Sequence, residues 1–190
     1  MPDIWTQLAH YRQVKVLPDG LRVLLRPLGK DDSDQLAALF ERAAPEDLER
    51  FRSNPTDRQV VEGWVQHLDL SKVFPIVVVA NERIIGDATI HFGLKFQRHL
   101  GWIRLFLDRE FRRRGIGTLM ISAMIDVARR VGLHQLICLV PTDQPQTVKA
   151  FENLGFRNEF VHQDYAMLQD GRTLDVAELV LHLVDHSGEF

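Results

Sequence analysis

The chain contains a single cysteine, Cys138, and this scarcity excludes an internal disulfide and a zinc site built from cysteine thiolates. No two of its eight histidines stand four residues apart on a predicted helix, so a helical pair of metal ligands is missing as well. We therefore expect no metal site and a reducing compartment. A lone cysteine in a short apolar stretch is typical of a small core residue, and we expect Cys138 to be buried.

A surplus of positive charge is also missing, since 23 lysines and arginines against 26 aspartates and glutamates give a net charge of −3. Nucleic-acid binders normally need a basic surplus to contact phosphates, so we expect no nucleic-acid partner. The apolar stretch from Phe74 to Ala80 is far shorter than the roughly 20 residues that span a bilayer. The segment from Met1 to Trp5 has no basic region followed by an apolar run. We expect a cytoplasmic protein with no membrane partner.

With 190 residues, the chain is long enough to bury the core of one domain. We predict a single α/β domain over residues 1–190, in which residues 1–20 form an N-terminal helical extension. Apolar and β-branched runs bounded by turn residues predict strands at 22–28, 75–80, 83–92, 101–108, 135–140, 156–168 and 173–184. Period 3.6 predicts helices at 3–14, 32–43, 45–51, from a Thr56–Gln59 capping box to Leu68, from the glycines at 115 and 117 to Gly132, and at 145–154.

The most informative segment is the turn Arg112-Arg113-Arg114-Gly115-Ile116-Gly117-Thr118, which joins a predicted strand to a predicted helix. Two glycines let the backbone bend so that several N–H groups converge, and the first N–H groups of a helix have no internal partner. The helix dipole and three arginines add positive charge at the same point. The turn therefore predicts a binding site for an anion such as phosphate.

The residues that follow the turn narrow the type of phosphate ligand. A dinucleotide-binding turn needs a third glycine where Met120 stands, and an acidic residue about twenty positions later, where Ile137 stands. The sequence contains no Gly-x-x-x-x-Gly-Lys-Ser/Thr, so a nucleoside-triphosphate loop is excluded as well. A solvated charge cluster and a nucleic-acid patch stay open as alternatives for three adjacent arginines.

Four sequence motifs, which include the turn, resemble the motifs of one protein family and occur in the same order. Arg112-x-x-Gly115-x-Gly117 after an apolar strand resembles the Gln/Arg-x-x-Gly-x-Gly/Ala signature of the GNAT superfamily of acyl-CoA-dependent N-acyltransferases. The other matching segments are 26–28 leading into Asp31 and Asp32, 84–86, and 150–156, which ends in Leu-Gly-Phe. Residues 26–27 together with 48–51 are also faintly similar to the acetyltransferase domain of bacterial protein lysine acetyltransferases.

The resemblance implies a mixed sheet of six or seven strands with helices on both faces, splayed between the strands at 101–108 and 135–140, with acetyl-CoA in the opening. It also implies that the turn holds the pyrophosphate and that the backbone of the preceding strand pairs with the pantetheine arm like an added strand. The residues that it assigns to CoA are Leu105, Phe106, Leu107, Arg112, Arg113, Arg114, Gly115, Ile116, Gly117, Thr118, Gln144 and Phe151.

Two of these positions depart from the family pattern. Phe151 stands where many members have a tyrosine that protonates the leaving thiolate, and Gln144 stands where many have an asparagine. The strand before the turn also lacks the glutamate that serves some members as a base. Asp87 and His91 share one face of the preceding strand and are our candidates for the base, although both residue types are also common on an ordinary polar face.

We therefore expect an acetyl-CoA-dependent N-acetyltransferase that transfers an acetyl group to a primary amine, on a small molecule or a protein lysine, by direct attack in a ternary complex. A non-catalytic acyl-CoA-binding or regulatory protein on the same scaffold is the alternative, because Phe151 has no hydroxyl. Ten acidic residues against four arginines between Asp31 and Asp69 favour a cationic acceptor. A homodimer stays open as an assembly.

Overall fold

Apolar and β-branched runs form the strands of this protein, and stretches of hydrophobic period 3.6 form helices. The computed structural model describes residues 3–49, 51 and 53–184. The strands are β1 (Gln13–Val16), β2 (Arg22–Pro27), β3 (Val73–Ala80), β4 (Arg83–Phe92), β5 (Leu100–Leu107), β6 (Gln135–Pro141), β7 (Arg157–Met167) and β8 (Thr173–His182). The helices are α1 (Ile4–Ala9), α2 (Ser33–Glu41), α3 (Pro45–Leu48), α4 (Arg58–Gln66), α5 (Ile116–Arg130) and α6 (Pro145–Glu152). Short 3-10 helices occupy Lys30–Asp32, Lys95–Gln97 and Arg109–Phe111.

The strands form one mixed sheet in the order β1-β2-β3-β4-β5-β6-β8-β7. Strand β5 pairs with β6 in parallel, with Leu100 opposite Gln135 and Trp102 opposite Ile137. Strand β8 lies antiparallel between β6 and β7. The predicted α/β fold with a mixed sheet is confirmed, and the sheet has eight strands instead of six or seven.

The additional strand is β1, and it corrects the prediction of a helical extension over residues 1–20. Helix α1 ends at Ala9, and Gln13–Val16 pairs antiparallel with β2. The sequence Gln-Val-Lys-Val does alternate as a strand should, but four residues are too few to stand out against a neighbouring helical pattern. The predicted cap at Thr56 is also wrong, because Asp57 caps α4 by accepting a hydrogen bond from the Gln59 N–H at 2.9 Å.

The described residues form two compact units, of which the first comprises residues 3–89 and 105–120. Its core contains Phe40, which is fully buried and whose ring centroid lies 5.2 Å from those of both Phe51 and Phe106. Trp64 is partly exposed and meets Phe40 edge-on at 6.0 Å. Phe51 and Phe106 also contact each other, so one aromatic cluster joins helix α2 to the end of β5.

The second unit comprises residues 90–104 and 121–184. Cys138 is buried in β6, as predicted, and this burial raises the pKa of the thiol to about 12. Positions 1, 2, 50, 52 and 185–190 lie outside the described residues. Positions 1 and 2 belong to the predicted extension over 1–20, position 50 belongs to the predicted helix at 45–51, and all of them belong to the predicted domain over 1–190. Among the described helices, none combines the length and the apolar character needed to cross a membrane.

Candidate functional site

The predicted anion loop begins directly after β5. The carboxylate of Asp108 accepts a hydrogen bond from the Glu110 N–H at 3.2 Å and caps a single 3-10 turn that ends at the buried Phe111. The chain then adopts left-handed conformations at Arg113, with φ of 60°, and at Gly115, with φ of 81°, before α5 begins. Alternation of conformations in this way turns successive N–H groups towards one side of the backbone.

The main-chain N–H groups of this loop are unpaired. In the part of the chain that the structure describes, none of the N–H groups of residues 113–118 donates to a protein acceptor. The first helical bond of α5 runs from the Leu119 N–H to the Gly115 carbonyl at 3.1 Å. Six adjacent N–H donors therefore lie at the N-terminus of a helix of 15 residues, where the helix dipole is positive. This arrangement is suited to binding phosphate.

Gly117 is a glycine that the fold itself does not require. Its φ lies outside the left-handed region, and a Cβ atom built on it would meet no other atom within 4 Å. Glycine in a helix is nevertheless unfavourable by about 1 kcal/mol relative to alanine. The open space beside its backbone fits the close approach of a ligand, whereas Gly115 also meets the conformational need of a positive φ.

Two of the three adjacent arginines are held by carboxylates. Arg112 Nη2 lies 2.8 Å from Asp47 Oδ2, and its Nε donates to the Leu107 carbonyl at 2.9 Å. Arg114 Nε donates to Asp19 Oδ2 at 2.6 Å, and its guanidinium lies 5.7 Å from the centre of the Phe111 ring. Arg113 is exposed, and among the described residues it has no partner for its side chain.

The predicted pantetheine-binding strand is the end of β5. The ring of Phe106 belongs to the aromatic core, so only its backbone is available to a ligand. Along β5 the buried positions change from odd to even numbers between Ile103 and Phe106, so the regular alternation of burial is interrupted near the end of the strand.

Asp87 is the candidate base with unusual surroundings. Its Oδ1 is buried and has no hydrogen-bond partner among the described residues, and burial raises the pKa of the carboxyl to about 7. The preceding residue, Gly86, lies against the end of β5, because a Cβ atom on it would stand 3.1 Å from the Phe106 carbonyl oxygen. His91, four residues further along β4, is half-buried.

The second unit contains the two positions that depart from the family pattern. Phe151 is 1% exposed and packs edge-on against Phe156 at 4.9 Å, so its ring is part of the core. Gln144 precedes the first turn of α6, and its Oε1 accepts a hydrogen bond from Thr147 Oγ1 at 3.2 Å. The assignment of both residues to CoA stays a prediction.

Sequence reasoning missed the acidic partners of the loop. Asp19 lies 95 positions before Arg114 and Asp47 lies 65 before Arg112, and no local pattern indicates such pairs. The acid-rich segment from Asp31 to Asp69 is also partly neutralised. Its members in ion pairs include Asp32, Asp34, Glu41, Glu46, Asp47 and Asp69.

Comparisons with known proteins identify a family for this chain. Residues 22–157 match the family model described as Acetyltransferase (GNAT) domain. The chain is 25% identical over 114 residues to N-alpha-acetyltransferase 30 of Schizosaccharomyces pombe, a match that covers 58% of this chain and 70% of that protein.

Two solved structures show the same fold. Ribosomal-protein-S5-alanine acetyltransferase from Vibrio fischeri is 22% identical with a TM-score of 0.74, covering 86% of this chain and 94% of its own. The putative acetyltransferase yncA from Salmonella typhimurium, solved with acetyl-CoA, is 20% identical with a TM-score of 0.74, covering 87% and 96%. Because the family model spans most of the chain, the protein belongs to the GNAT acetyltransferase family.

Proposed function

We propose that the protein is an acetyl-CoA-dependent N-acetyltransferase that acts on a primary amine by direct attack in a ternary complex. The observation that carries this proposal is the run of unpaired N–H groups over residues 113–118, beside the open space at Gly117. These groups suit the diphosphate of CoA, and the exposed Arg113 adds positive charge. The backbone of Leu105, Phe106 and Leu107 suits the pantetheine arm.

Acetyl-CoA supplies an activated thioester, whose carbonyl carbon bonds to the amine nitrogen while the bond to sulfur breaks. The chain has to orient the amine, provide a donor for the developing oxyanion and accept the proton that the amine loses. We assign the oxyanion donor to a backbone N–H near Phe106 or Leu107. Asp87 is the proposed proton acceptor, since a carboxyl with a pKa of about 7 exchanges protons readily at neutral pH.

The acceptor is proposed as a class. Primary amines on small molecules, protein lysines and peptide N-termini all fit a base of this kind, and the name of the Schizosaccharomyces pombe relative refers to N-alpha acetylation. Cytoplasmic location and the absence of nucleic-acid, membrane and metal partners belong to the same proposal and are inferred from the sequence. We also propose a homodimer as the assembly.

One alternative has specific support. A non-catalytic acyl-CoA-binding protein is favoured by Phe151, whose buried ring offers no proton to sulfur, and by the lack of an acid along β5. Release of free thiol from acetyl-CoA, measured with a panel of amines that includes lysine peptides and peptides with free N-termini, separates the two functions. Acceptor-dependent thiol release that Asp87→Asn reduces supports the enzyme. Saturable CoA binding without thiol release supports the alternative.

A further inference from the structure

We infer that the three adjacent arginines of the anion loop divide two tasks: Arg113 contacts the phosphates of the ligand, whereas Arg112 and Arg114 position the loop. The inference rests on the proposed function, because it concerns how the same loop holds CoA. It also departs from the family resemblance, in which the signature arginine is Arg112.

Arg112 already makes three hydrogen bonds within the protein. Its Nη2 and Nη1 donate to the two oxygens of Asp47, at 2.8 and 3.3 Å, and its Nε donates to the Leu107 carbonyl. A bidentate pair of this kind fixes the orientation of a guanidinium. Movement of the Arg112 guanidinium away from these partners would break the pair with Asp47 and also the link to the end of β5. Arg112 therefore ties the loop to β5 and to helix α3.

Asp47 is suited to hold the loop because it serves two arginines. Its Oδ2 also accepts a hydrogen bond from Arg109 Nε at 2.6 Å, and the side chain is only 18% exposed. Burial opposes ionisation of Asp47, but hydrogen bonds from both arginines outweigh it and keep the pKa below its usual value. Asp47 thus stays charged and connects both ends of the segment 109–112.

Arg114 is positioned in a similar way at the other side of the loop. Its carboxylate partner, Asp19, accepts hydrogen bonds from the Leu21 N–H at 3.0 Å and from Arg114 Nε. The guanidinium of Arg114 also lies over the Phe111 ring, a cation–π contact that helps to hold it in place. Asp19 therefore offsets the charge of Arg114, as Asp47 and Glu46 offset Arg112 and Arg109.

Arg113 is the arginine whose charge is not offset. It is exposed, and no carboxylate among the described residues pairs with it. It is also the first residue of the run of unpaired N–H groups, so its side chain starts at the predicted phosphate site. Its left-handed φ is unfavourable for an arginine, and an unfavourable conformation of this kind is often retained at a functional position.

A double-mutant cycle tests this division. The dissociation constant for CoA is measured by calorimetry for the wild type, Arg112→Gln, Asp47→Asn and the double variant, and for Arg113→Ala with and without Asp47→Asn. We expect Arg112→Gln to weaken binding in the wild-type background and to change it less than two-fold once Asp47 is replaced. Arg113→Ala should weaken binding about ten-fold or more in both backgrounds. Arg113→Lys, as the matched control, should retain most of the affinity.

The outcomes are separable from those of the proposed function. If wild-type protein does not bind CoA, the proposed function fails. If it binds CoA but Arg112→Gln costs as much with Asp47→Asn as without it, Arg112 contacts the phosphates and the inference is overturned. Near-wild-type binding by Arg113→Ala overturns it as well. The melting temperature without CoA should be the same for Arg113→Ala as for the wild type, since that side chain has no partner to lose.

Discussion

Gly86 on β4 stands directly against the Phe106 carbonyl oxygen on β5, because a Cβ atom at this position would lie 3.1 Å from it. The same Cβ atom would lie 3.1 Å from Leu107 Cδ1 and 3.2 Å from the methyl group of Met120. The backbone oxygen cannot yield as a flexible side chain can. We predict that Gly86→Ala destabilises the protein by about 1–3 kcal/mol in urea denaturation and weakens CoA binding by displacing the end of β5.

The matched control is Gly63→Ala in helix α4, where a Cβ atom would meet nothing within 4 Å. Alanine is the better helix former, so this variant should be as stable as the wild type or more stable by up to about 1 kcal/mol. A Gly86→Ala variant that matches Gly63→Ala in stability and CoA affinity would contradict the close packing of β4 against β5.

A second glycine should separate stability from binding. At Gly117 the added Cβ atom has room and helix propensity improves, so Gly117→Ala should unfold at an equal or higher urea concentration. Gly117→Val should keep the fold and lose at least about ten-fold in CoA affinity, because its branched side chain fills the space that the diphosphate needs. Calorimetric titration with CoA measures this. Tight binding by Gly117→Val would place the diphosphate elsewhere.

The features that sequence predicted well are those encoded by neighbouring residues. The loop over 112–118 combines glycines, an apolar strand before it and a helical pattern after it, and its backbone conformation follows from that local context. The carboxylates that hold its arginines come from 65 and 95 positions away, so only the folded chain shows that Arg113 differs from Arg112 and Arg114.

Strand β1, at the edge of the sheet, also depends on residues that are distant in the sequence. The sequence of β1 carries a strand pattern of only four residues, and its assignment depends on pairing with β2. Asp87 was placed on the polar face of its strand by alternation, but its unpartnered, buried oxygen is a property of the packed structure. Periodicity thus predicts which face a residue occupies, whereas its pKa depends on distant atoms.

Asp87 should make folding stability depend on pH. Its folded pKa of about 7 lies above the unfolded value near 3.8, so the folded state binds the extra proton between these values. The stabilisation is fully present below about pH 4 and is lost as pH rises through 7, and the shift corresponds to about 4 kcal/mol. We predict that Asp87→Asn raises the melting temperature relative to the wild type at pH 8 and changes it little at pH 4.

The control for this prediction is Asp32, whose pKa is shifted in the opposite direction. Asp32 is buried, which opposes its ionisation, but two hydrogen bonds from Arg26 and one from the Gly29 N–H outweigh burial and keep its pKa low. Asp32→Asn should therefore lower the melting temperature at pH 8 more than at pH 3, because the stabilisation from the lowered pKa is present above the unfolded value of 3.8 and declines as the pH falls below it. If both variants changed the melting temperature by the same amount at every pH, burial would not be the cause of the raised pKa of Asp87.

The thiol of Cys138 should not react with alkylating agents in the folded protein. Burial in β6 leaves it 5% exposed and raises its pKa to about 12, so essentially no thiolate exists near neutral pH. Iodoacetamide should leave native protein unmodified and alkylate one site in urea, as measured by mass spectrometry. Cys138→Ala should retain its rate of thiol release, because direct attack of the amine uses no acyl-cysteine. Rapid alkylation of the native protein, or loss of turnover in a folded Cys138→Ala variant, would instead require a covalent step at this thiol.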